Sequence, residues 1–220
     1  MHFKGKNNRT LCTKYEVQFM PKSETAYCTE SDIEAHLKKE GVKYKGLKQN
    51  EIDLNLIESA LKKLSFVSSA DCYFSLNGTL SIEIVQRIPI IRVYPSVGKP
   101  YYLDNYGKAF DLTKSYSADV LVASGNINHG VDKILYTFAN HVHQSDFWNH
   151  FIEHIFVDAR KDLRFTTQVA GHEVVFGDTL RMSQKLTKLE DFYKKSFENE
   201  GWENFKEVNI KFKDQVICRK

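Results

Sequence analysis

Apolar and polar residues alternate from residue 14 to residue 19, where Tyr15, Val17 and Phe19 fall on one side. A period of two is typical of a strand with one buried face. Pro21 interrupts the pattern, so we expect the first strand to stop before it.

Two helical patterns follow this strand. Ser31 and Glu34 have the spacing of a capping box, and Gly41 supplies a stop for the first helix. A second helix is predicted to begin near Asp53 and to carry one apolar stripe. The residues of this stripe are Leu56, Ile57, Ala60, Leu61 and Leu64.

A hairpin is predicted next, because two alternating runs flank a turn sequence that contains Gly78. A two-residue turn would pair Leu76 with Thr79 and place the apolar residues of the two strands on opposite faces. A three-residue loop with Gly78 in the left-handed conformation pairs Phe74 with Leu80 and keeps them on one face. We expect the three-residue loop, and the order β-α-α-β-β then indicates a small α+β domain.

The cluster of Pro95, Gly98 and Pro100 is the strongest boundary signal, and we place the domain junction there. The residues after it are richer in strands. Alternation predicts strands at 101–103, 109–112, 120–123, 155–159, 164–169, 173–176 and 208–212, and helical spacing predicts helices around 134–142, 147–155 and 180–193.

Composition and charge exclude some classes of protein. The 220 residues carry a formal net charge of +3, too little for the strongly basic face of a nucleic-acid-binding protein. No run of apolar residues is long enough to span a membrane. The four cysteines show no CxxC spacing, so neither a zinc knuckle nor a redox motif is expected.

One motif suggests enzymatic chemistry. His150, Glu153 and His154 match the HxxEH pattern of zinc hydrolases, in which two histidines bind the metal and the glutamate acts as a base. On a helix, however, the two histidines would lie at the margin of an apolar face. Cys72 and Cys218 are expected to be packing residues rather than nucleophiles. We therefore expect no catalytic residue, no metal and no cofactor.

Several fragments, in their order and spacing, resemble the FtsQ/DivIB family of bacterial cell division proteins, and in particular a Bacteroidota-like branch. The chain is similar to the family along nearly its whole length. The fragments are the helix and hairpin entry at 57–70 with Phe66 and Val67, the junction 86–89, the turn 102–107, Val175 to Gly177 followed by Lys185, Leu186 and Leu189, then Phe192, Tyr193, Gly201, Trp202 and the ending 208–219.

The resemblance implies a fold. It is α+β: a POTRA domain, with two helices on a three-stranded sheet, followed by a β domain with a mainly antiparallel sheet. We expect a juxtamembrane segment at 1–10, the POTRA domain at 11–95 and the β domain at 96–220. Gln86, Arg87 and Pro89 match the family's junction motif, with Gln86 in place of the common Glu.

The resemblance also implies a function. Members of the family are not enzymes; they bind FtsB and FtsL in the divisome and help to control septal peptidoglycan synthesis. A membrane helix is expected to precede this chain and to anchor it on the periplasmic side of the inner membrane. No nucleic acid and no small-molecule substrate are expected as partners.

The expected binding site is the last strand, 215–218, because no later strand follows to pair with it. If binding resembles that of the family, a partner segment adds beside this strand and touches the turn before it. The residues of this site are Lys211, Phe212, Lys213, Asp214, Gln215, Val216, Ile217 and Cys218. The alternatives are the zinc hydrolase and a POTRA-type chaperone or transport module.

Overall fold

The structure is a computed structural model that describes residues 11–20, 28–113, 117–128, 130–168, 171–198 and 205–220. Two compact units divide between Arg87 and Ile88. The expected juxtamembrane segment, 1–10, lies outside the described residues.

The first unit has the predicted order of elements. They are β1 (Tyr15–Met20), α1 (Glu30–Lys39), a 3₁₀ turn (Gln49–Glu51), α2 (Leu54–Leu61), β2 (Val67–Phe74) and β3 (Leu80–Gln86). The sheet order is β1-β3-β2, with β1 parallel and β2 antiparallel to β3. A three-stranded sheet with two helices confirms the expected fold of this unit.

The hairpin has the expected register. Phe74 pairs with Leu80, and Gly78 has a φ of 84°. Its N–H donates to the carbonyl of Ser75, which closes the loop. The three-residue loop therefore keeps the apolar residues of β2 and β3 on one face, as the alternation required.

Two details of the helices differ from expectation. The N-cap of α1 is Thr29, which exchanges hydrogen bonds with Asp32, because this earlier pair offers the same spacing as Ser31 and Glu34. Glu34 instead forms an ion pair with Lys45. In α2 the exposed fraction of Leu56 is 52%, because the helix buries its other side: Ile57, Ala60 and Leu61.

The second unit contains the remaining elements. They are β4 (Pro89–Pro95), β5 (Tyr101–Asp104), β6 (Ala109–Asp111), β7 (Leu121–Gly125), α3 (Asp132–His143), α4 (Asp146–Phe151), β8 (Ile152–Val157), β9 (Leu163–Thr167), β10 (Glu173–Gly177), α5 (Met182–Glu198), β11 (Glu207–Asn209) and β12 (Ile217–Arg219). Its nine strands form one sheet, in the order β12-β11-β10-β9-β8-β7-β4-β5-β6. Most neighbouring pairs are antiparallel, as expected.

The first strand of this sheet moves the expected boundary. β4 pairs with β5 and β7, so residues 89–95 belong to the second unit rather than to the first. The Pro95–Pro100 cluster is the connection between β4 and β5. Proline lacks an N–H and cannot donate a hydrogen bond within a sheet. It is therefore found at positions such as the start of a strand, where Pro89 lies here. The division therefore lies between Arg87 and Ile88 instead of between residues 95 and 96.

One face of the nine-stranded sheet carries the core. Val93, Ala123 and Ile155 lie next to one another across β4, β7 and β8 and are fully buried. Phe138 of α3 and Leu189 of α5 belong to the same cluster. Burial of each such side chain contributes roughly 1.5 to 3 kcal/mol, which fixes the faces of the strands.

Gly125 ends β7 where the backbone of β8 approaches closely. Its φ is 110°, and a Cβ atom there would lie 2.3 Å from the carbonyl oxygen of Val157. Gly98 has a φ of 114°, but a Cβ atom there would lie 3.7 Å from its nearest neighbour, in the ring of Pro95. At both positions a residue other than glycine would have a strained φ, but at Gly98 there is room for a Cβ atom and at Gly125 there is not.

We predict that Gly98→Ala lowers the free energy of unfolding of the second unit by about 1 to 3 kcal/mol, the cost of the strained φ. Gly125→Ala should cost at least about 1 kcal/mol more, because it also displaces β8. Urea unfolding followed by tryptophan fluorescence measures both, since Trp148 and Trp202 both follow Ile88 in the sequence. Equal losses for the two variants would contradict the close approach.

His172 is a buried histidine beside α5. Its Nε2 lies 2.6 Å from the hydroxyl of Tyr193, and its Nδ1 has no hydrogen-bond partner among the described residues. Burial lowers the pKa of His172 below its ordinary value of 6.5. The folded state therefore favours the neutral imidazole.

We predict that His172 makes the protein less stable in acid. Above pH 6.5 the imidazole is neutral in both states and contributes no pH dependence. Below it the unfolded chain binds a proton that the folded chain resists, so stability falls by up to about 1.4 kcal/mol per pH unit until the folded pKa is reached. His172→Gln should make the fall between pH 6.5 and 5 shallower, as measured by urea unfolding at each pH. An unchanged slope would be inconsistent with a neutral buried imidazole.

Candidate functional site

The candidate site is the C-terminal edge, defined as β12 and the turn at residues 210–216 before it. β12 is antiparallel to β11 and ends the order of described strands. Val208 of β11 pairs with Cys218 of β12. Within the described part of the chain, the other side of β12 has no neighbouring strand.

The hydrogen bonds of β11 show which groups of β12 face outward. Ile210 donates its N–H to the carbonyl of Val175 in β10, 3.0 Å away, so the alternate residue Asn209 faces β12. Lys206 donates its N–H to the carbonyl of Arg219, 2.8 Å away. Arg219 therefore faces β11, and by alternation Cys218 directs its N–H and C=O away from the sheet.

Charged side chains form a ladder across the last four strands. Arg164 of β9 lies 2.7 Å from Glu173 of β10 and 3.7 Å from Glu207 of β11. Arg219 of β12 lies 3.4 Å from Glu207. Because cross-strand pairs of opposite charge favour one alignment, the ladder helps to hold β12 in register.

The turn at 210–216 is attached to its surroundings at several points. Lys188 of α5 donates to the carbonyls of Ile210, Phe212 and Gln215, at 3.1, 2.6 and 2.8 Å. Asp214 has a φ of 56°, a left-handed conformation that Asp tolerates better than most residues. The conformation of the turn is thus held largely by its hydrogen bonds to Lys188 of α5.

A groove of about 710 Å³ lies between α5 and this turn. Its apolar lining consists of Phe192, Phe212 and Val216. Its charged lining is mostly basic: Arg181, Lys185, Lys188, Lys195 and Lys213, against Asp191 and Asp214. The C-terminal edge therefore combines open backbone groups with a positively charged groove.

Comparison with known protein families matches both units. A POTRA-like domain model matches residues 10–85. A model described as FtsQ/DivIB, C-terminal related, matches residues 88–219, more than half of the chain. The chain belongs to the FtsQ/DivIB family. No curated protein matches it at a significant level.

Membership of the FtsQ/DivIB family supports a role in cell division and divisome proteins as partners in general. Both matched domains are of a scaffold type rather than an enzymatic one. Members of the family are membrane-anchored and have an extracytoplasmic domain. Among the residues that the structure describes, no helix is both long and apolar enough to cross a membrane.

The site residues expected in this FtsQ/DivIB chain lie close together, but in different environments. Lys211 forms an ion pair with Asp162, so its ammonium group is held within the chain. Phe212 has an exposed fraction of 50% and Ile217 of 42%, whereas Cys218 is half-buried and packs against the core. The side chains of Lys213 and Asp214 are exposed.

The strand is displaced slightly from the expected 215–218 and covers Ile217–Arg219. Gln215 does not join it, and its carbonyl accepts from Lys188. Val216 lies between the turn and the strand and faces the groove. Within the C-terminal edge, the segment that could pair with an added strand is therefore Val216 to Arg219.

The junction residues have structural contacts. Gln86 is buried at the end of β3. Arg87 donates its N–H to the carbonyl of Phe66 and its Nε–H to the carbonyl of Ser65, at 2.8 and 3.0 Å. These bonds hold the end of the first unit against the entry to its hairpin, and Pro89 then starts β4.

The zinc-site geometry does not form. α4 ends at Phe151, so His150 lies on a helix while Glu153 and His154 lie on β8. His150 Nδ1 lies 2.7 Å from the carbonyl of Asp146, and His154 Nε2 lies 3.0 Å from Ser124 Oγ. The described residues contain no group of three or more potential metal ligands. The one-turn spacing that the motif requires is lost where the chain turns from helix to strand.

The cysteines fit the expected packing role. Cys72 is buried on β2, and burial raises the pKa of its thiol to about 12, so the nucleophilic thiolate is disfavoured. Burial also raises the pKa of Cys218. All four cysteines have free thiols in the structure.

Sequence reasoning missed Lys188 and the groove. A signal was present, because Lys185, Lys188 and Lys195 recur at helical spacing on α5. Such a stripe is usually a solvated face. What it contacts depends on where the chain returns after residue 205, which the local sequence does not specify.

Proposed function

We propose that this chain is a non-enzymatic divisome scaffold that binds FtsB/FtsL-like proteins by strand addition to β12. It acts on the periplasmic side of the inner membrane, anchored by a membrane helix N-terminal to the chain, and helps to control septal peptidoglycan synthesis. The observation that carries the proposal is the outward direction of the N–H and C=O of Cys218.

Strand addition explains how such a short strand serves as a binding site. An edge strand offers a row of open donors and acceptors, and an added strand satisfies them without a deep pocket. The backbone supplies much of the affinity, and neighbouring side chains supply the choice of partner. Exposed Ile217 is suited to the latter role.

The groove beside the edge indicates what flanks the added strand. Its basic lining favours an acidic segment, and Phe192, Phe212 and Val216 favour an apolar side chain among the acidic ones. The partner segment is therefore expected to be extended beside β12 and acidic where it crosses α5. Salt should slow its association, because charge complementarity acts strongly on the rate of encounter.

The test compares Val216→Pro with Val216→Ala. Val216 directly precedes β12, and if the alternation of the strand continues to it, its N–H is directed outward like that of Cys218. Proline removes this donor and introduces a ring at the edge, whereas alanine keeps the donor and loses only the two methyl groups of the side chain. We predict that Val216→Pro weakens binding of the purified FtsB/FtsL-like complex at least tenfold, about 1.4 kcal/mol, and Val216→Ala weakens it less.

Lys213→Ala is a second comparison: it removes one positive charge of the groove but no backbone donor, so it should weaken binding less than Val216→Pro does. Circular dichroism should first show that each variant is folded. Unchanged affinity for folded variants with proline at Gln215, Val216 and Ile217 in turn would eliminate this edge as the binding site.

A further inference from the structure

The ammonium group of Lys188 contacts the connection between β11 and β12 at its beginning, middle and end. Ile210 directly follows β11, Phe212 lies within the turn, and Gln215 precedes β12 by two residues. Their carbonyl oxygens lie 3.1, 2.6 and 2.8 Å from Nζ. A lysine ammonium has three donors, and here each has one acceptor.

These hydrogen bonds are charge-assisted and are partly shielded from water. Bonds of this kind are stronger than those between neutral groups. Burial lowers the pKa of Lys188, and the nearby carboxylate of Asp214 acts in the opposite direction. The group is thus a half-buried charge that three carbonyl dipoles stabilise.

Neighbouring cations have other partners. Lys185, one turn earlier on α5, donates to the carbonyl and the carboxylate of Asp178 at 2.8 and 2.7 Å. Lys211 pairs with Asp162. Among the described residues, Lys188 is the side chain for which the structure shows bonds to both arms of the turn.

We infer that Lys188 is the positioning residue of the C-terminal edge: it fixes the turn at 210–216 to α5 and thereby presents β12 to a partner strand. The second part of this inference, that β12 is presented to a partner strand, rests on the proposed function. Ordering a strand during binding costs affinity, so a strand that is held in place beforehand binds more tightly. Lys188 acts on the partner through the turn and needs no contact with the partner itself.

The experiment uses Lys188→Met, Lys188→Arg and, as the matched control, Lys194→Met. Methionine keeps the length of the side chain and the helix propensity but removes the donors. Arginine keeps the charge and several donors in a different geometry. Lys194 lies on the same helix, is exposed and pairs only one turn away with Glu190, so its loss removes one charge and leaves the turn intact.

Three readouts are measured on the full chain. Amide hydrogen exchange reports the order of residues 210–219 and of α5, ¹⁵N-detected NMR of the unsubstituted chain reports whether the Lys188 ammonium is hydrogen-bonded, and titration with the FtsB/FtsL-like complex reports affinity. In Lys188→Met we expect exchange of the protected amides within 210–219, those of Ile210, Ile217 and Arg219, to accelerate at least tenfold while α5 is unchanged, and affinity to fall at least tenfold. Lys188→Arg should restore part of both, and Lys194→Met should alter neither.

Unchanged exchange at 210–219 in Lys188→Met would overturn the inference. An equal loss of affinity in Lys188→Met and Lys194→Met would also overturn it, because net charge would then suffice. If Val216→Pro weakens binding and Lys188→Met does not, the inference fails while the proposed function stands. If Lys188→Met loosens the turn but neither variant alters binding, the proposed function fails and the half of the inference that concerns partner binding fails with it.

Discussion

The backbone of β12 is hydrogen-bonded to the sheet from one side. The position of this strand therefore depends on contacts made by β11, by α5 and by the turn before it. A strand of three residues has too few hydrogen bonds to define its own position. β11 supplies the pairing, Arg219 and Glu207 fix the register, and Lys188 fixes the turn that leads into the strand. Among the described residues, no strand pairs with the outer groups of β12, because β11 lies on its other side.

The histidines of the zinc motif and other buried polar groups of the second unit are used in structural contacts. His150 and His154 lie on different elements, and His172 is bonded to Tyr193 in the interior. Lys185, which is almost fully buried, is held by Asp178. Both matched domains are of a scaffold type.

Much of the fold could be predicted from the sequence, because it depends on interactions between residues that are close together in the chain. The hairpin register followed from the position of Gly78 and from the need to keep Phe74 and Leu80 on one face. The boundary between the units was misplaced because prolines flank β4, and the pairing that assigns β4 to the second sheet is with β7, about 30 residues later. Lys188 was missed for the same reason, since its acceptors lie more than 20 residues away.

The most direct test of the account is amide exchange at single-residue resolution in β12, with and without the FtsB/FtsL-like complex. Strand addition at β12 predicts that the amide of Cys218 exchanges rapidly in the free protein and at least tenfold more slowly at saturation, because an added strand accepts its hydrogen bond. Ile217 and Arg219, which face β11, should be protected in both states. An exchange rate for Cys218 that is unchanged at saturation would contradict strand addition at this edge.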